Sequence, residues 1–147
     1  MADAQLEELS LDTCLALLRS ARVGRVAVMH DESPIVVPVN YRLVEAAERN
    51  WIAVRARPGG VVESAPARVA FEIDGVDAAN HQGWSVLVRG TLQHVDPDAA
   101  DFRERFDPQP WVTEDRDAWL VIEPFAITGR RLHGIEPEWP FHPRGYV

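Results

Sequence analysis

From Gly83 to Gly90 the chain reads Gly-Trp-Ser-Val-Leu-Val-Arg-Gly, a strict alternation that only an extended strand with two unlike faces accommodates. Trp84, Val86 and Val88 share one face with Gly90, and this set suits the interior of a barrel. Ser85, Leu87 and Arg89 share the other. That second face offers a hydroxyl, an aliphatic surface and a fixed cation, which is what a flat, phosphorylated ligand requires.

Comparable runs recur at short intervals. Ser10 suits a helix N-cap, with Asp12 near the positive end of the dipole and Leu11, Cys14, Leu15 and Leu18 at helical spacing, so a helix is expected to run to about Ala21. Strands are predicted at 25–29, at 35–43 with an interruption at Pro38, and at 51–55, 68–73, 84–95 and 118–122, with a short extension over 127–132. Asp31 to Pro34 and Glu45 to Asn50 read as turns, 61–65 as a single helical turn, and 97–105 as a second helix. Residues 1–9 read as a loose arm and 134–147 as a tail rich in proline and aromatics. Six strands with few helices between them argue for one mainly β domain over 1–147, an antiparallel barrel with peripheral helices. A doubly wound α/β fold would place a helix between most strands.

Composition narrows the chemistry. The 147 residues carry a net charge of −8, and all 15 basic residues are arginines. Without lysine there is no Schiff-base catalysis and no P-loop, so any phosphate must be held by arginine, backbone amides, hydroxyls or histidine. The acidic balance and the absence of a basic run argue against nucleic acid. Cys14 is expected to pack on the helix face. No continuous apolar run suggests a membrane span or leader, so a cytoplasmic protein is expected. His30, His81, His94, His133 and His142 lack metal-ligand spacing, and no nucleophile elbow surrounds Ser64 or Ser85, so neither a metal site nor a catalytic nucleophile is expected.

Four segments are candidate binding elements. Pro38 breaks the donor pattern of its strand, so the backbone of Val37, Pro38, Val39 and Asn40 can face an edge or a ligand. Arg55 and Arg57 precede Pro58, Gly59 and Gly60, where glycines let the backbone approach an anion and a guanidinium adds a bidentate clamp. Trp84 and Ser85 open the alternating strand, and Arg130, Arg131 and His133 form an anion-receptive cluster close to the C-terminus of the fold.

The ordered series resembles the pyridoxamine 5′-phosphate oxidase-like, flavin-binding split-barrel family: Val37-Pro38-Val39-Asn40, Arg55 with Pro58-Gly59, Val69 to Asp74, Gly83 to Gly90, Trp119, and Thr128-Gly129-Arg130-Arg131. The resemblance spans roughly residues 9 to 132. It implies a six-stranded split β-barrel that forms a homodimer, with FMN in grooves between the subunits. A deazaflavin is the alternative cofactor and haem a less favoured one. It implies an oxidoreductase acting on a small molecule, or else a non-catalytic dimer that binds or senses such a cofactor. Val37 to Asn40, Trp84 and Ser85 would border the ring, Arg55, Arg57, Gly59 and Gly60 the phosphate, and Arg130 the cofactor. Arg131 and His133, within an Arg-Leu-His sequence, would meet the substrate. This chain has Ala56 and Val61 where many relatives have a phosphate-binding threonine and lysine. Losing a charged partner would cost about 1.5–3 kcal/mol of binding.

Overall fold

The structure is a computed structural model, and it describes residues 5–57, 59, 64–96, 99–109 and 118–134. Among the described residues nine elements follow in order: β1 (Gln5–Glu8), α1 (Leu11–Ser20), β2 (Val23–His30), β3 (Ser33–Ala46), β4 (Arg49–Ala56), β5 (Ala67–Asp77), β6 (Gln82–His94), α2 (Ala100–Arg105) and β7 (Ala118–His133). All strand pairings are antiparallel, in the order β1-β7-β4-β3-β2-β5-β6, and an additional β6–β7 pairing closes six of the strands into a ring. The chain is mainly β, as its alternation demands.

The expected helix forms as predicted. Ser10 caps it, its hydroxyl accepting from the Thr13 amide at 3.2 Å, and Cys14, Leu15 and Leu18 enter the core. Inside the ring, Val26, Tyr41, Ile52, Phe71, Val86, Val88, Leu92 and Ile122 are fully buried. The Tyr41 hydroxyl donates to the Leu18 carbonyl at 2.7 Å, tying the helix to β3 without leaving a buried polar group unmet. On β6 the two faces separate as the alternation requires, with Val86, Val88 and Gly90 buried and Leu87 and Arg89 exposed.

Three expectations change. The loose arm over 1–9 is corrected in part, because Gln5–Glu8 form a seventh strand paired with Arg130–His133 of β7. The strand at 118–122 and its extension at 127–132 are one continuous strand, since pairing with β6 carries β7 through both. Pro38 does not interrupt β3, which runs unbroken from Ser33 to Ala46 opposite β2. The proline is tolerated because, among the described residues, β4 pairs with β3 only from Asn40 onward, so no described strand takes a donor from the β3 edge beside Pro38.

β7 also explains the split. Its edge pairs with β4 as far as Ile122 and with β1 from Arg130, leaving a gap between them. Leu11, Trp51, Pro124 and Phe125 line a groove of about 460 Å³ there. The proposed helical turn over 61–65 and the tail beyond Gly134 lie largely outside the described residues. Among the described residues no helix is long and apolar enough to cross a membrane.

Candidate functional site

Strand pairing arranges several of the candidate side chains in a strip on the outer face. Asn40 is opposite Arg55 on β4 and Val23 on β2. Asp74 is opposite Ser85, and Ser85 opposite Arg130. The middle of the strip is bridged by Arg25, which lies opposite both Pro38 and Glu72. Its guanidinium donates to Glu72 at 3.2 Å and to Asp74 at 3.3 Å. With adjacent strands about 4.8 Å apart, Asn40 and Ser85 are separated by about 14 Å across the sheet.

At one end of the strip, Arg55 does not stand alone. Its guanidinium donates to both carboxylate oxygens of Asp107, at 3.0 and 3.2 Å, and lies 5.0 Å above the Trp119 ring. Asp107 follows α2 and is itself held, because its Oδ1 accepts from the Gln109 amide at 2.9 Å. The Arg55 side chain is only 20% exposed. A half-buried pair of this kind is firmer than a surface one. Arg57 beyond it is exposed, and Gly59 adopts a φ of +108° with nothing within 4 Å of where a Cβ would stand. Gly60, with Pro58 and Val61, lies outside the described residues.

At the other end Ser85 is half-buried and Arg130 exposed. Among the described residues Arg130 has no carboxylate within ion-pair distance. The remaining candidates face the other way. Val37 and Val39 turn toward the core, while Pro38 and Asn40 turn outward. Trp84 also lies on the core side, its indole packed flat over Gly75, where a Cβ would stand 2.5 Å from Nε1. It lines a groove of about 320 Å³ with Arg131 and His133. His133 Nε2 meets Glu7 Oε2 at 2.6 Å, and this hydrogen bond holds the Glu7 carboxyl below its usual range. The candidates therefore divide into an outer strip (Pro38, Asn40, Arg55, Ser85, Arg130) and an inner rim (Trp84, Arg131, His133). Among the described residues no histidine, cysteine and carboxylate group suits a metal, and Cys14 is a buried core thiol.

Glu72 is the strip's odd member. Burial first, then its hydrogen bond and charge repulsion with Asp74, raise its pKa against the opposing pull of Arg25. A raised carboxyl destabilises the fold where it is ionised, above its folded pKa. The effect vanishes below 4.5, where the group is protonated in folded and unfolded chains alike. Glu72→Gln is therefore expected to raise the thermal midpoint at pH 8, by less than about 1 kcal/mol of stability. The gain should be lost by pH 4. Equal midpoints at both pH values, by calorimetry, would contradict this.

Reading the sequence missed Arg25, Glu72, Asp74, Asp107 and Glu7. Alternation alone turns Arg25, Glu72 and Asp74 outward, but nothing local shows that β2 and β5 are neighbours. Asp107 carried no signal.

A family model described as pyridoxamine 5′-phosphate oxidase matches residues 10–131. The uncharacterized protein Rv0080 of Mycobacterium tuberculosis is 33% identical over 132 residues, covering 87% of this chain and 86% of its own. A solved FAD-binding protein from Mycobacterium smegmatis superposes with a TM-score of 0.65 at 29% identity, over 86% of this chain and 98% of that one. A conserved protein of unknown function from Corynebacterium diphtheriae reaches a TM-score of 0.74 at 26% identity, over 86% and 98%.

Proposed function

The chain belongs to the pyridoxamine 5′-phosphate oxidase family, and from that premise we propose that it is a homodimeric flavin-binding protein of the oxidoreductase type. The observation that carries the reading is the outer strip, where the β3 edge at Pro38, the Ser85 hydroxyl and an Arg130 guanidinium with no carboxylate within ion-pair distance among the described residues lie on one face. These groups fit a flavin: an edge and a flat sheet surface for the ring, a hydroxyl for its polar rim and a cation for its anionic parts. The FAD-binding relative from M. smegmatis, similar over nearly its whole length, supports the same class of ligand. FMN and FAD are the two forms the reading admits first, with a deazaflavin as the third.

A bound flavin would supply hydride or single-electron transfer. The protein's part is positional. Pro38 and Asn40 would fix one edge of the ring, and Ser85 would donate or accept at a polar atom. Arg130 would stabilise negative charge gained on reduction. Arg55, braced by Asp107 and Trp119, would orient the phosphate end. Arg131 and His133, on the inner rim, would meet a small anionic substrate. No side chain need act as a nucleophile.

Dimerisation is supported by the exposed face beside the strip. Met29 is 59% and Val36 62% exposed, and the small Ala27 and Ala70 lie opposite Val36 and each other in register. Small residues there let two sheets approach closely, with Arg25, Arg68, Glu72 and Arg89 around them as a charged rim. The test is a titration of purified protein with FMN, FAD and a deazaflavin, followed by absorbance, with mass measured by light scattering. A dimer that binds one of the three with micromolar affinity or better is the expected result. Val36→Glu is expected to give a folded monomer with at least tenfold weaker binding. A monomeric wild type, or a dimer that takes up none of the three, would refute the reading.

A further inference from the structure

We propose that a gap over Gly83, beside the Ser85 and Arg130 end of the strip, takes a small, flat, uncharged aromatic molecule bearing an oxygen acceptor. The inference names a substrate class for the flavin site and rests on the flavin reading for the role of that occupant. The gap belongs to one row of residues. Val76 is opposite Gly83, Gly83 opposite Leu132 and Leu132 opposite Leu6, so the row crosses four adjacent strands, β5, β6, β7 and β1. Val76 is 80%, Leu6 59% and Leu132 41% exposed. Apolar side chains exposed singly are ordinary, but three in one row on one face form a patch.

Gly83 gives that patch its shape. Val76 and Leu132 stand on either side of it, their backbones about 10 Å apart. The floor between them is bare backbone. Packing does not demand the glycine, since a Cβ at position 83 would meet only the Gly75 carbonyl oxygen, at 3.4 Å. Leu6 extends the Leu132 wall, which gives the short strand β1 a part in the site. The groove measures about 280 Å³, with Asp74, Ser85 and Arg130 at its polar end. That is the small end of the range for ligand pockets and too little for a protein partner. One or two flat rings fit it.

The gap is compatible with the rest of the flavin reading. Ser85 lies two residues from Gly83 on the same face of β6, about 7 Å along the strand, so the gap opens on the hydroxyl at which the flavin ring is proposed to end. Arg55, at the phosphate end, is four strands away in the order β4-β3-β2-β5-β6. Ala70, in the proposed dimer face, is six residues from Val76 on β5, about 20 Å along the strand. The charges around Ser85 set the ligand's sign. Asp74 and Arg130 lie opposite it on its two sides, Glu8 lies opposite Arg130, and Arg25 donates to Asp74 at 3.3 Å. Acid and base alternate, so neither an anion nor a cation is favoured. An uncharged oxygen that accepts from the Ser85 hydroxyl is.

The test titrates the protein by calorimetry with 2-naphthol, with its saturated counterpart decahydro-2-naphthol and with 2-naphthoate, each with and without FMN. The variants are Gly83→Val, which fills the gap at a position with room for a side chain, and Leu6→Ser, which lowers one wall. Circular dichroism confirms folding. The expected result is submillimolar binding of 2-naphthol by the wild type, at least fivefold tighter than either the saturated or the anionic probe, and retained when FMN is bound. Gly83→Val should weaken 2-naphthol at least tenfold and Leu6→Ser about threefold, with FMN affinity changed less than twofold in both. Absence of 2-naphthol binding by the wild type, binding that survives Gly83→Val, or displacement of FMN by 2-naphthol overturns the subsite while leaving the flavin reading intact. If FMN, FAD and a deazaflavin all fail to bind, the flavin reading fails, and Gly83-dependent binding of 2-naphthol still upholds the gap as a binding site.

Discussion

Alanine at position 24 is expected to destabilise the protein by roughly 2–3 kcal/mol, the cost of forcing an extra methyl into a packed core. A Cβ on Gly24 would stand 2.3 Å from Cζ and 2.6 Å from Cε2 of Phe71, and 3.1 Å from the Glu72 carbonyl oxygen. Phe71 cannot retreat. It is fully buried, and its ring meets the Tyr41 ring edge-on at 4.8 Å and 71°. Tyr41 is fixed in turn by its bond to the Leu18 carbonyl, so the clash would propagate from β2 through β5 and β3 into α1. The thermal midpoint should fall by about 5–10 °C. Gly83→Ala is the control, since a Cβ there meets only the Gly75 carbonyl oxygen at 3.4 Å, an ordinary contact. Denaturant unfolding of the two variants decides the matter: a Gly24→Ala protein within 0.5 kcal/mol of wild type, on the scale of ordinary surface changes, would show that the β2–β5 junction is looser than drawn.

The same junction marks the limit of what the sequence makes legible. The helix after Ser10 and the two faces of β6 follow from local chemistry, a cap and a period of two, and both stand in the structure. The continuity of β7 does not, because Pro124 lies within it and reads locally as a break. It is accommodated by the bulge opposite Arg89 and Gly90, a feature defined by two strands and visible in neither alone. β1 was illegible for a related reason. Gln-Leu-Glu-Glu has little strand propensity, and only the waiting edge of β7 makes it extended. At the site, the opposite facing of Trp84 and Ser85 could be read from the alternation, but that of Val37 and Pro38 could not, because Pro38 reads locally as a break in its strand. Arg25 was invisible as a site residue because its partners Glu72 and Asp74 are supplied by a strand that arrives after two intervening hairpins.

Arg55 and Asp107 are expected to change flavin binding in opposite directions. Arg55→Leu removes the cation that the proposed phosphate end requires, and the loss of a charged hydrogen bond corresponds to about 1.5–3 kcal/mol, or one to two decades in Kd. Asp107→Asn keeps the acceptor for the Gln109 amide and the shape of the loop but removes the negative charge that now shares the guanidinium. An incoming phosphate then competes with a neutral amide instead of a carboxylate, and Kd should fall by about three- to tenfold, since partly exposed ion pairs are worth on the order of 1 kcal/mol. Both variants lose the pair that anchors the segment after α2, so both should unfold at lower temperature than wild type. That shared loss separates the two roles of Arg55. If the arginine serves only to pin that segment over Trp119, the two variants will lower stability together and shift flavin affinity together or not at all. Opposite shifts in Kd at similarly reduced stability place the Arg55 guanidinium on the ligand, with Asp107 as the internal anion that the phosphate must displace.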